Sequence, residues 1–246
     1  MIDPALRDYP VDPPPLVGGV YLDQSWADLT FVHWPVEPET VEHLFPRWTR
    51  PDVFCDGLTY VALVPFTMSR TAIGGSVFAL PYFGRFLETN IRLYSTDDAG
   101  RHGVLFCSLE TARLAVVPVV RLGMGVPYTW ARMRTTRSGD RITYDSVRRW
   151  PRRGLRSHLT IAIGEPVAPT PLEVWLTARW GAHTRKGGRT WWVPNTHGPW
   201  PLRSAQVVDL ADDLLSASGV RPAGDRMRAL YSPGVRTQFG RPVALA

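Results

Sequence analysis

Four side chains that can carry a proton or bind an anion recur at every second position of one short segment: Glu88, Asn90, Arg92 and Tyr94. Alternate side chains of an extended strand share a face. The segment Glu88–Tyr94 therefore sets a carboxyl, an amide, a guanidinium and a phenol in a row, with Thr89, Ile91 and Leu93 opposite. A carboxyl and a phenol serve proton transfer, and a guanidinium binds carboxylates. On an interior face these groups need partners or a ligand, because burying them unpaired is costly. On a solvated face they make an ordinary amphipathic strand.

A second alternating stripe is Tyr128, Trp130, Arg132 and Arg134, preceded by Pro127. Spacing alone assigns it to a solvated outer face. His33 shares a face with Leu29 and Phe31 in an apolar segment, the setting of a satisfied core or rim histidine. Arg113 stands near the expected start of a helix among Leu109, Ala112 and Val116, where it either enters a site or rests on the surface. The six histidines are scattered, with no His-x-x-x-His and no Cys-x-x-Cys, so no metal site is expected. No Gly-x-Ser-x-Gly elbow, P-loop or dinucleotide fingerprint occurs, and no cofactor is expected.

The elements that must position these residues read as short strands and few helices. Pro10, Pro13, Pro14 and Pro15 make residues 1–20 an extended N-terminal segment. Leu29–Val36, Tyr60–Ser69, Glu88–Tyr94, Gly103–Cys107 and Ser157–Ile163 read as strands, and so do Thr190–Pro194, Ala205–Val208 and Val235–Phe239. Pro127–Thr136 and Arg141–Val147 read as a hairpin across Ser138-Gly139-Asp140. Thr71–Phe83, with Gly74 and Gly75, reads as a mobile loop. Helices are expected over Glu39–Phe45, from Ser108 to Arg121 with an interruption at Pro118, and from Pro171 to about His183. A last one covers Asp209–Ser216, and Thr170 with Glu173 forms a capping box. The absence of regular β-α-β alternation argues for an α+β, mainly antiparallel fold, in a single domain over residues 1–246.

With 44% hydrophobic and 11% aromatic residues, the 246-residue chain can bury a large core and is not disordered. No apolar run approaches the roughly 20 residues of a membrane span, so no membrane partner is expected. The acids and prolines of Met1–Pro15 do not make a secretory signal, and a cytoplasmic protein with Cys55 and Cys107 reduced is expected. The net charge of +6 rests on 27 arginines and one lysine, Lys186. The run Arg148, Arg149, Arg152, Arg153 and Arg156 could follow a nucleic-acid backbone. It comes with no nucleic-acid-binding signature, and a solvated edge is the reading preferred.

The segments LTFVHWPV (Leu29–Val36), YVALVPFTMS (Tyr60–Ser69), FLETNIRLY (Phe86–Tyr94), VPYTWARM (Val126–Met133) and LYSPGV (Leu230–Val235) resemble a family of bacterial proteins known as a domain of unknown function. That family is similar to the acetoacetate decarboxylase-like superfamily. The resemblance implies a cone-shaped antiparallel β-barrel with flanking helices and an internal pocket. It makes Phe86-Leu87-Glu88 the counterpart of a Tyr-x-Glu strand, with Glu88 as a pocket acid. In the decarboxylases a Gly-Tyr-Pro-Lys-Lys motif supplies the Schiff-base lysine. Here Gly125-Val126-Pro127-Tyr128-Thr129 stands in its place, and neither Tyr128 nor Thr129 can form an imine.

What the resemblance leaves is imine-free, metal-independent chemistry on a small carbonyl or carboxylate compound. Lyase and isomerase reactions both fit: proton transfer, dehydration, cyclisation or decarboxylation. Glu88, Tyr128 and Arg92 are the catalytic candidates, and His33, Asn90, Tyr94, Arg113, Trp130 and Arg132 are the binding candidates. The alternatives are a binder of a small organic acid and, less favoured, a nucleic-acid-binding protein. A homo-oligomer is left open.

Overall fold

The computed structural model describes Leu6, residues 9–74 and residues 84–245. Residues 9–21 contain neither helix nor strand. The strands that follow are β1 (Leu22–Val36), β2 (Thr49–Pro51), β3 (Thr59–Ile73), β4 (Phe86–Asp97), β5 (His102–Thr111), β6 (Tyr128–Ser138) and β7 (Arg141–Trp150). Then come β8 (Arg156–Pro166), β9 (Gly181–Lys186), β10 (Arg189–His197), β11 (Arg203–Asp212), β12 (Arg228–Phe239) and β13 (Val243–Ala244). The helices are short: α1 (Pro38–Val41), α2 (Val116–Met124), α3 (Pro171–Thr177) and α4 (Leu214–Ala217).

All thirteen strands join one sheet in the order β13-β10-β9-β5-β6-β7-β8-β11-β12-β1-β3-β4-β2. Two further pairings, β4 with β5 and β10 with β12, turn it back on itself. The sheet is antiparallel except where β5 pairs with β6 and with β9. Two rings of pairing result. One runs β1-β3-β4-β5-β9-β10-β12, and the other leaves β5 through β6, β7, β8 and β11 before rejoining β12. The partition is local: Val104 and Leu105 of β5 pair with β9, whereas Leu109–Thr111 pair with β6.

Strands β1, β3, β4, β5 and β12 are thus a wall shared by two interiors, and each interior has its own core. On β3, Tyr60, Ala62, Val64, Phe66 and Met68 face the first core, while Val61 and Leu63 face the second. On β4, Phe86 and Tyr94 belong to the first, Ile91 and Leu93 to the second. Both faces are buried, which is why Tyr60–Ser69 is almost continuously apolar.

Several boundaries differ from expectation. β5 continues through Thr111, so no helix begins at Ser108. α2 starts at Val116 and places Pro118 in its first turn, where a missing N–H costs nothing. The capping box of Thr170 and Glu173 is present, but α3 stops at Thr177 and Gly181–Lys186 is strand. Asp209–Asp212 extends β11, leaving only Leu214–Ala217 helical. β3 runs on to Ile73, so Thr71–Ile73 is strand rather than loop. Residues 75–83 of that expected loop lie outside the described residues. Both cysteines are free. No helix among the described residues is long and apolar enough to cross a membrane.

Candidate active site

The polar face of β4 points into the first ring. There a cavity of about 130 Å³ is lined by Glu88, Asn90, Arg92, Tyr128, Arg179 and Asn195, together with a larger apolar set that includes Leu29, Val64 and Leu109. This is room for a small organic molecule. Val120 and Met124 of α2 close part of it.

Glu88 and Tyr128 are both buried, and the Tyr128 hydroxyl donates to Glu88 Oε1 at 2.8 Å. Strand pairing brings them together: Asn90 of β4 lies opposite Leu109 of β5, and Leu109 lies opposite Tyr128 of β6. Burial pushes the Glu88 carboxyl up to about 8, with the Tyr128 hydrogen bond pulling the other way. Burial and the neighbouring Glu88 hold the Tyr128 hydroxyl well above the usual phenol range. At neutral pH the pair is predominantly uncharged and shares a proton donor and an acceptor.

Arg92 leans along β4 toward Tyr94. Its guanidinium carbon lies 5.6 Å from the centroid of the Tyr94 ring and 5.5 Å from that of Phe31. Arg179 approaches the same ring from the segment between α3 and β9, at 4.6 Å, and lies 4.0 Å from the centroid of Trp175. Its Nε donates to the Trp175 carbonyl at 2.8 Å and its Nη1 contacts Asp52. Burial raises the Asp52 carboxyl, but Arg179 and His102 outweigh it and the net shift is downward. Asp52 therefore stays ionised and fixes Arg179. Four buried polar atoms of cavity-lining residues have no hydrogen-bond partner among the described residues: Asn90 Oδ1, Arg92 Nε, Arg179 Nη2 and Asn195 Oδ1. Such groups are rarely left unpaired in a folded protein.

Of the residues singled out by sequence, Glu88, Asn90, Arg92 and Tyr128 line this cavity. His33 and Tyr94 are buried and do not line it, and a 2.7 Å hydrogen bond joins His33 Nε2 and the Tyr94 hydroxyl. Burial, then Arg92, Arg179 and Arg228, push His33 well below its ordinary range, so it is neutral. Three residues lie elsewhere. Arg113 donates to the Arg85 carbonyl at 3.3 Å outside the cavity. Trp130 and Arg132 border a separate surface groove with Met133, Arg149 and Arg153. β6 pairs with β5 only over Tyr128–Trp130 and then runs on beside β7, so only its first residue reaches the cavity.

The basic run is divided as well. β7 carries an extra residue between Arg148 and Trp150, and Arg148 turns inward onto buried Glu110, while Arg149, Arg152 and Arg153 stay exposed. Lys186 is exposed, and its Nζ donates to the Gly123 carbonyl at 2.8 Å. It does not line the cavity.

Sequence reasoning missed Arg179 and Asn195. Arg179 has a signal: it is the one charged residue in the apolar stretch Trp175–Ala182, all of it buried.

A family profile, DUF2071, described as an uncharacterized conserved protein, matches residues 23–236. The uncharacterized protein YqjF of Bacillus subtilis (strain 168) is 27% identical over 199 residues, covering 80% of this chain and 81% of YqjF. Among solved structures, acetoacetate decarboxylase from Legionella pneumophila superposes with a TM-score of 0.66 at 11% identity, over 95% of this chain and 92% of that one. The enduracididine biosynthesis enzyme MppR complexed with pyruvate gives 0.61 at 13% identity, over 99% and 95%. The chain belongs to the DUF2071 family and has an acetoacetate decarboxylase-like fold.

Proposed function

We propose that this protein is an enzyme that transfers protons next to the carbonyl group of a small, carboxylate-bearing compound, without an imine and without a metal. One observation carries the reading: a buried, hydrogen-bonded Glu88–Tyr128 pair shares a cavity with an Arg92 that has no acidic partner among the described residues. Glu88, once ionised, takes a proton from carbon, and protonated Glu88 returns one. Tyr128 donates a hydrogen bond to the carbonyl oxygen as it gains enolate character. Burial suits the pair to this task, because a carboxyl with a raised pKa is a stronger base when ionised. Arg92 draws in the carboxylate of the substrate, since a guanidinium presents paired donors to it.

Two features support the imine-free, metal-free form. The sole lysine lies outside the cavity. Among the described residues no cluster of three or more His, Cys, Asp or Glu could hold a metal. MppR, of similar fold, has been seen complexed with pyruvate, and a small oxo acid is accordingly the class of substrate proposed here.

Glu88→Gln and Tyr128→Phe should each lower turnover by about 10²–10⁴-fold, the usual worth of a general acid or base, while leaving ligand affinity nearly intact. Isothermal titration beside a turnover assay separates the two. Borohydride trapping with pyruvate should leave Lys186 unlabelled, and labelling would remove the imine-free reading. A binder of small organic acids is the second reading, favoured by the unpaired N–H groups of Arg92 and Arg179. It requires that Arg92→Ala remove affinity and that no product form with any oxo acid.

A further inference from the structure

Within the acid–base reading above, the two kinds of polar group in the cavity occupy different ends of it. Glu88, Asn90, Arg92 and Tyr94 follow one another on the same face of β4. A strand rises about 3.3 Å per residue, so Arg92 stands roughly 13 Å beyond Glu88 and Tyr94 roughly 20 Å beyond it. The guanidinium of Arg92 does not fold back toward Glu88. It lies over the Tyr94 ring, with Nη2 3.5 Å from the Tyr94 hydroxyl. Arg179 reaches the same ring.

The two cations are thus gathered at the Tyr94 end, and each keeps a buried N–H with no partner among the described residues: Nε of Arg92 and Nη2 of Arg179. Asp52 and the stacked faces of Trp175 and Tyr9 hold Arg179 in place, at 4.0 and 5.4 Å for the two rings. Between the ends Asn90 carries no charge and is flanked by apolar side chains, Val64 opposite it on β3 and Leu109 opposite it on β5.

We infer that the substrate is an oxo acid whose carboxylate is anchored by Arg92 and Arg179 and is retained, while the reacting carbonyl lies several carbons away beside Glu88 and Tyr128. Decarboxylation breaks the bond to the carboxylate carbon, leaves its electron pair on the neighbouring carbon and releases neutral CO₂. A carboxylate held by two guanidiniums surrenders both ion pairs along that path. The clamp then stabilises the ground state more than the transition state and raises the barrier. Enolisation at the far end costs the clamp nothing. The C–H electron pair becomes the C=C bond, the proton passes to the Glu88 carboxylate, and the developing oxyanion accepts the Tyr128 hydrogen bond. Return of the proton to carbon balances the step with no co-reactant. In a 2-oxo or 3-oxo acid the carbonyl and the carboxylate are too close to reach both ends at once. An extended acid with the carbonyl at position 4 or 5, with a hydrogen bond of about 2.8 Å added at each end, approaches the roughly 13 Å between the two ends, and its eight or nine heavy atoms keep it a small ligand.

The test is deuterium incorporation from D₂O into pyruvate, 4-oxopentanoate and 5-oxohexanoate, followed by NMR, with CO₂ release from acetoacetate measured in parallel. 2-Pentanone and 2-hexanone serve as uncharged controls. The 4- or 5-oxo acid should exchange at least tenfold faster than pyruvate and than the ketones, and acetoacetate should lose no CO₂ above background. In Arg179→Met, and separately in Arg92→Met, the advantage of the acid over the ketone should collapse toward one. Arg92→Met disrupts no ion pair among the described residues, so it keeps the test intact if Arg179→Met fails to fold. Arg179-dependent CO₂ release from acetoacetate, or preference for pyruvate, overturns the inference while the acid–base reading stands. If no compound, charged or neutral, exchanges, the acid–base reading itself falls and this inference falls with it.

Discussion

At the scale of single residues, the proposed acid–base role of Glu88 is tied to the stability of the fold. Its carboxyl is raised from an ordinary 4.5 to about 8 by burial. Between those values the folded chain holds a proton that the unfolded chain has released. Unfolding therefore becomes easier as pH rises, because the unfolded state binds fewer protons. The contribution of Glu88 is complete below pH 4.5, declines from there to about pH 8, and is constant above. Melting temperatures of the wild type should fall over that window relative to Glu88→Gln, which carries no titrating group at the site. A parallel pair of thermal melts across pH 5–9 checks this. Turnover should move oppositely, rising toward pH 8 as the ionised base accumulates. Two curves with the same slope would show that Glu88 is not held neutral by the fold.

The alternation around Glu88 left two faces open to its carboxyl, and it was the family resemblance that pointed it into a pocket. Arg179 was not legible in the same way. Thr170-Pro171-Leu172-Glu173 opens a helix, and nothing in the following apolar residues announces that α3 ends at Thr177.

At the scale of elements, the shared wall depends on close approach of backbones. Gly234 of β12 lies opposite Ala27 of β1, beside Asp28, whose φ is +50°, and the register continues unchanged to Leu29 and Ser232. Its φ is +133°, and a Cβ there would stand 1.9 Å from the Trp26 carbonyl oxygen. Gly234→Ala cannot be relieved by rotating a side chain, because the obstacle is backbone, so β1 and β12 must separate locally. The expected cost is about 2–4 kcal/mol, read as a lower midpoint in urea unfolding with little change in slope. An unchanged midpoint would mean that the two strands do not approach as described.

The sequence reading begins this strand only at Val235, after Ser232-Pro233-Gly234. It could not show that β12 runs through the turn residues from Arg228, since that continuation depends on pairing with distant β1. The same holds for the segment after Ser108, where apolar residues at helical spacing turn out to be a strand because β4 and β6 flank it. By contrast, Glu88–Tyr94 and the hairpin of β6 and β7 were readable, because their pattern and turn chemistry are local.

At the scale of the whole molecule, two cores share one wall, and only the first of them holds the cavity. The near-continuous apolar run on β3 carried this information in part, since a strand with one solvated face would have alternated. What it could not convey was that the second face looks into another closed interior. The arrangement predicts that stability and ligand binding can be separated by the choice of core. Leu159 of β8 is 1% exposed in the second core, on a strand that takes no part in the first ring. Leu159→Ala should cost about 2–5 kcal/mol, the range for a buried leucine truncated in a well-packed core. Its affinity for an oxo acid, measured by titration calorimetry well below the melting temperature, should stay within twofold of the wild type. Val64→Ala, on the shared wall and lining the cavity, should change both quantities. The shared wall itself is the route by which the prediction could fail. If β4 shifts when the second core is opened, Glu88 and Arg92 move with Ile91 and Leu93, and the affinity of Leu159→Ala drops together with its stability. That result would make the two interiors one mechanical unit rather than a site backed by an independent support.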